Sequence, residues 1–247
     1  MLWDSRRSGA LLACALLAAP SASAIEPLHL HYQASWRLMH AGDVQLSLEP
    51  DGPGGAQARL QLDTVGLAGA LYDVHDDYTA HFDGGFCTSD TLYMLHQGSK
   101  RRRISVTFQQ PQGTAAYLER DLNKDDIVNR KEIDVPACVH DEVAALNLVR
   151  SHPLEPGQSV ELPISNGKKF AQVRVEAQAR EQVRTPSGVY TAVRYEAFLY
   201  RDVIYRRNAR LFFWLSDDHR RLPVQIRIDL GFLLGTVTLK LDKEEPA

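Results

Sequence analysis

Several things are scarce in this sequence of 247 residues. No apolar run approaches the ~20 residues that a membrane-spanning helix needs, and the longest lies near the N-terminus. No large excess of charge is present either. A net charge of -3 and a pI near 6.3 argue against the strongly basic surface of a general nucleic-acid binder. Catalytic signatures are missing: there is no Gly-x-Ser-x-Gly, no His-Glu-x-x-His, no Walker loop and no dinucleotide fingerprint. Repeats, low-complexity tracts and long linkers are absent as well. What remains is 44% apolar and 24% charged, which excludes disorder, collagen and coiled coil as the main state.

The N-terminus reads as an address. Arg6 and Arg7 form a positive region, Ala10 to Ala19 is apolar, Pro20 breaks a helix, and Ala22-Ser23-Ala24 is a small-x-small cleavage site. Residues 1–24 are therefore expected to be a signal peptide, and 25–247 one β-rich periplasmic or secreted domain. Ser5-Arg6-Arg7 has a twin-arginine look, but Gly9 stands where a bulky apolar residue is usual, so Sec export is expected. Leu11-Leu12-Ala13-Cys14 has too few preceding apolar residues for a lipobox. Cleavage removes Cys14 and leaves Cys87 and Cys138. An even pair in an oxidising compartment predicts a disulfide, the alternative being two separately buried thiols.

Period-two alternation dominates the rest. Val44, Leu46 and Leu48 alternate with polar residues, as do Ile104, Val106 and Phe108, and Val173, Val175 and Ala177. Val224 to Leu230 and Val237 to Leu241 repeat the pattern. One apolar and one polar face is the mark of antiparallel sheets wetted on one side. Asp51 to Gly55, Asp83 to Gly85 and Thr185 to Gly188 supply the turns. One helix is expected near 141–150, capped by Asp141 and ended by Pro153, with a shorter helical turn at Val65 to Tyr72. The fold class is mostly β, a curved sheet or open barrel.

A further set of local signals comes in a characteristic order. Tyr32 to Trp36 (Tyr-x-Ala-x-Trp) leads through Ala41-Gly42-Asp43 into an alternating strand. Then come the Asp141 helix ending in Leu148-Val149-Arg150, Leu154 to Gly157, and Thr185 to Tyr190. Last stand Trp214-Leu215-Ser216-Asp217-Asp218 and Arg220-Arg221-Leu222-Pro223-Val224, the most specific stretch. In these the chain resembles the exported bacterial proteins of the domain of unknown function 3108 family. The resemblance implies a periplasmic, β-rich single domain and no established activity.

Four groups of residues are candidates for chemistry. Asp121, Asn123, Asp125, Ile127 (through its carbonyl), Asn129 and Glu132 have the spacing of a calcium-binding loop, and calcium is the one cofactor the sequence suggests. Two features depart from that pattern: Asp126 stands where glycine is expected, and the flanks do not read as helices. The alternative is an acidic, solvated turn between strands. Lys100 to Arg103, with Arg206, Arg207, Arg210, Arg220 and Arg221, could hold an anionic polymer if they converged, or else protect strand edges. His29 and His31 share a strand face without a third ligand. Asp76-Asp77 and Asp217-Asp218 are acid pairs, but adjacent acids on a strand face opposite ways. The expected function is therefore non-catalytic: an envelope protein that holds a lipid, acyl chain or envelope polymer on the apolar face of its sheet. An envelope glycan or ester hydrolase, with acids meeting from distant strands, is the alternative.

Overall fold

The computed structural model describes residues 25–52, 54–110, 112–198, 209–231 and 235–246. The expected signal peptide, 1–24, lies outside them. Eight strands form a continuous meander: β1 (Leu28–Trp36), β2 (Met39–Asp51), β3 (Gly55–Thr64), β4 (Val74–Phe82), β5 (Thr88–Gln97), β6 (Lys100–Gln109), β7 (Thr114–Asp121) and β8 (Asp126–Asp134). A second meander follows: β9 (Ser159–Ser165), β10 (Phe170–Thr185), β11 (Gly188–Phe198), β12 (Arg210–Ser216), β13 (Pro223–Asp229) and β14 (Thr236–Glu245). Two helices are described, α1 (Gly66–Leu71) between β3 and β4, and α2 (Glu142–Ser151) between the meanders.

All named strands belong to one antiparallel sheet, in which β1 pairs with β14 and so welds the two meanders together. The alternation read from sequence is the burial pattern observed. Val44, Leu46 and Leu48 point inward, as do Val106 and Phe108 on β6 and Val173, Val175 and Ala177 on β10. The sheet curls so that these apolar faces line its concave side, and α2 lies within the curl, its Ala144 packing with β1–β3 and its Ala145 and Val149 with β9–β12.

β8 and β9 end the strand order, so backbone pairing does not close the sheet. The connector from β8 to α2 crosses this gap instead. Thr88 N donates to Val139 O (2.9 Å), His140 N to Pro163 O (2.9 Å), and Ser165 N to His140 O (3.0 Å). One segment thus stitches the start of β5 to β9. Val135 and Val139 bury their side chains against Val106, Phe108 and Tyr117, which fills the seam with apolar contact. The result is an open barrel held shut on one side by a strap.

Candidate functional site

Cys87, in the β4–β5 turn, and Cys138, in the strap, are joined as a disulfide with Cα atoms 4.9 Å apart and a separation of 51 positions in sequence. Asp141 continues the attachment. Its Oδ1 accepts from Val143 N (2.7 Å) and Ala144 N (3.2 Å), capping α2, and also from the buried Tyr78 hydroxyl (2.6 Å). Its Oδ2 accepts from Thr88 Oγ1 (2.7 Å), which in turn accepts from Asp141 N (2.9 Å). The N-terminus of α2 is thereby fixed to β4 and β5.

The other end of α2 is held by the most distinctive sequence stretch. In the β12–β13 turn, Asp218 Oδ1 accepts from Ser216 Oγ (2.9 Å), Arg220 N (3.0 Å) and Arg221 N (3.0 Å). This holds Arg221 at a φ of 48° and aims it at the helix. Arg221 Nε donates to Arg150 O (2.8 Å), while Arg150 Nε donates back to Arg221 O (3.1 Å). Such reciprocal bonds satisfy carbonyls that the last turn of a helix leaves bare. Ser216, Asp218, Arg220 and Arg221 are therefore a clamp on α2.

Clamped at both ends, α2 does not fill the curl. Beneath it lies a chamber of about 310 Å³, lined by Leu146 and Ala145 of the helix and by Leu162, Val175, Phe213 and Ile226 among others. Several sheet residues here, including Leu211, Ile226, Ile228 and Leu239, point to the concave side yet stay only partly buried. Beside the chamber is a wider, more open vestibule of about 530 Å³ that includes Tyr78, Tyr93, Tyr117, Asp76 and Lys168. Leu60, Glu142 and Val143 line both spaces and form the threshold between them.

Glu142 is the unusual group. Its side chain has no ion-pair partner among the described residues, and burial followed by the neighbouring Asp141 charge raises its pKa to about 7. Lys168, by contrast, is engaged: its Nζ lies 3.1 Å from Glu119 Oε2 and 4.3 Å from the centre of the Tyr117 ring. Glu119 also accepts from Tyr117 Oη (2.9 Å) and pairs with Arg102. Burial alone would raise the Glu119 pKa, but these three donors outweigh it and hold the carboxyl below its ordinary value.

The residues singled out from sequence are placed as follows. The six calcium candidates do not surround one point. Asp121, Asn123 and Asp125 lie at the β7–β8 turn, while Ile127, Asn129 and Glu132 run away along β8. Asp121 pairs across the ladder with Asp126, whereas Glu132 pairs with Ala116, roughly 20 Å further along the strand at ~3.3 Å per residue. The residue of positive φ is Asp125 (51°) and not Asp126, and the chain turns there as a short hairpin. Asp121 Oδ1 caps that turn by accepting from Asn123 N (3.0 Å) and Lys124 N (3.2 Å), and Asp125 pairs with Arg120 (2.9 Å). Among the described residues, no cluster of three or more His, Cys, Asp or Glu side chains is arranged to hold a metal ion.

The acid pairs also stay apart. Asp76 accepts from His96 N (3.0 Å) and Gln97 Nε2 (2.6 Å) beside the vestibule, whereas Asp217 pairs with Arg180 (2.9 Å) in a different depression. Arg102, Arg210 and Arg220 are each paired with a separate carboxylate, Glu119, Glu196 and Glu244. Arg206 and Arg207 fall outside the described residues. His29 lies 2.5 Å from Glu49, and His31 3.5 Å from Glu245. Glu142, the acid at the threshold of the two spaces, was not singled out from sequence. The signal was available: it is the one acid within α2, three and four positions before Ala145 and Leu146, which line the chamber.

Comparison with curated proteins found no match. Among solved structures, one similar chain is the crystal structure of a beta-barrel-like protein of domain of unknown function DUF1849 from Brucella abortus. It is 10% identical with a TM-score of 0.62, and the alignment covers 91% of this chain and 99% of that one. At that identity the likeness is one of fold. The model of the family described as protein of unknown function (DUF3108) matches residues 31–242, nearly all of the described chain, and the protein belongs to that family.

Proposed function

We propose that this protein is an exported binding protein that holds the apolar chain of a lipid or other amphiphile in the chamber beneath α2. The observation that carries this is the set of inward-facing aliphatic side chains that line the chamber and stay only partly buried: Leu211, Ile226, Ile228 and Leu239. Protein interiors are ordinarily packed to crystal-like density. An apolar space of about 310 Å³ left without side-chain filling departs from that density. A ligand chain that fills it recovers ~0.8 kcal/mol per buried methylene. An envelope polymer of sugars fits less well, because the walls of the chamber offer few hydrogen-bonding groups. Export is supported by the leader-like N-terminus and by the Cys87–Cys138 disulfide.

A titration tests the reading. A fluorescent polyene fatty acid should brighten on binding and be displaced by dodecanol. Ala197→Phe places a ring in the chamber and should abolish that binding while the protein stays folded. No binding to the unaltered protein, or equal binding to the variant, would contradict the proposal.

A further inference from the structure

Resting on that reading, we infer that the vestibule is a head-group site for a cationic amphiphile, whose ammonium sits against the Glu142 carboxylate and the faces of Tyr78 and Tyr93. Three observations carry this. First, Glu142 stands at the threshold between chamber and vestibule, where the head of a chain lying in the chamber must emerge. Second, Tyr78 and Tyr93 both line the vestibule and pack on each other, with ring centroids 4.6 Å apart and planes tilted by 47°, so an aromatic pair forms its wall beside Glu142. Tyrosine faces with an adjacent carboxylate make the standard receptor for an alkylammonium group. Third, Tyr117 at the same vestibule already carries an ammonium over its ring, that of Lys168, so the environment accepts such a charge.

The charge balance points the same way. Lys168, the one cation lining the vestibule, has its charge matched by Glu119. Asp76 accepts only neutral donors, from His96 N and Gln97 Nε2. An anionic head would therefore meet Glu142 and Asp76 with no available cation to offset them, whereas a cationic head relieves both. The titratable groups sharing the vestibule with Glu142 are Asp76, Asp77 and Tyr78 of β4, Tyr93 of β5, Tyr117 of β7 and Lys168 of the β9–β10 turn, with Asp141 beside it on the helix.

Calorimetric titration with three probes of equal chain separates head from tail: dodecyltrimethylammonium, dodecanol and dodecanoate, each below its micellar concentration. At pH 8 the ammonium is expected to bind about tenfold or more tighter than the alcohol, with the carboxylate weakest. Glu142→Gln should reduce the ammonium to the level of the alcohol and leave the alcohol unchanged. In the unaltered protein the same preference should shrink by pH 5.5, where Glu142 is protonated. Lysophosphatidylcholine against lysophosphatidylglycerol, both with a twelve-carbon chain, then distinguishes a phospholipid source of the ammonium from a free amine. Equal binding of all three dodecyl probes, or strongest binding of dodecanoate, overturns the head-group inference and leaves the chamber reading standing. Binding of none of them overturns both.

Discussion

Asp141 and Glu142 are neighbours in sequence, and their surroundings give them different tasks. Asp141 has both carboxylate oxygens occupied, by two backbone N–H groups and by the hydroxyls of Tyr78 and Thr88. Asp141→Ala removes the helix cap and strands two buried hydroxyls, so a loss of about 3 kcal/mol is expected in urea unfolding. A loss below ~1 kcal/mol would mean that the helix is held elsewhere. Glu142 has the opposite balance, since its site raises the carboxyl pKa from 4.5 to about 7. Between those values folding takes up a proton, so the contribution of Glu142 to stability is full below pH 4.5 and is lost as pH rises through 7. Glu142→Gln should therefore match the unaltered protein near pH 4 and exceed it at pH 8 by about 2 kcal/mol, a figure reduced for the partial exposure of the side chain. A difference independent of pH would show that the carboxyl is solvated.

At the scale of elements, most of the fold was legible in the sequence. The strands follow from alternation because each has one face against the concave core and one in water. Val44, Leu46 and Leu48 on β2 show this directly. Helix α2 was legible from its Asp141 cap, and it begins at Glu142 as expected. The β7–β8 turn was harder, because calcium-loop spacing and an acidic hairpin draw on the same residue types. Asp126, in the glycine position of the calcium pattern, is the first residue of β8. The hairpin predicts that millimolar calcium leaves the melting temperature unchanged. A rise that disappears in Asp121→Ala would mean that turn and strand refold around the ion. The Cys87–Cys138 bridge joins residues 51 positions apart, for which chain entropy predicts roughly 4 kcal/mol of stabilisation. Replacing both cysteines with serine should lower the unfolding free energy by about that much, and an unchanged value would show that the strap is fixed without its bridge.

For the whole molecule, the sequence was silent about two things that arise only from long-range arrangement. One is the welding of β14 to β1, which joins two meanders from opposite ends of the chain. The other is that α2 roofs the curl without filling it. Ile226 and Leu239 have the same alternating pattern as Val224 and Leu241, yet the latter pair is fully buried and the former lines the chamber. No local signal separates an inward residue that meets a neighbour from one that meets a space. The clamp formed by Asp218, Arg220, Arg221 and Arg150 explains why the most recognisable sequence stretch lies away from the chamber. The most direct measurement of the central claim is native mass spectrometry of the protein purified without detergent from an exporting host, beside the Ala197→Phe variant. The account predicts a population carrying an added amphiphile mass, lost on mild activation and absent from the variant. A single bare mass for both proteins, persisting after incubation with dodecanol, would contradict it.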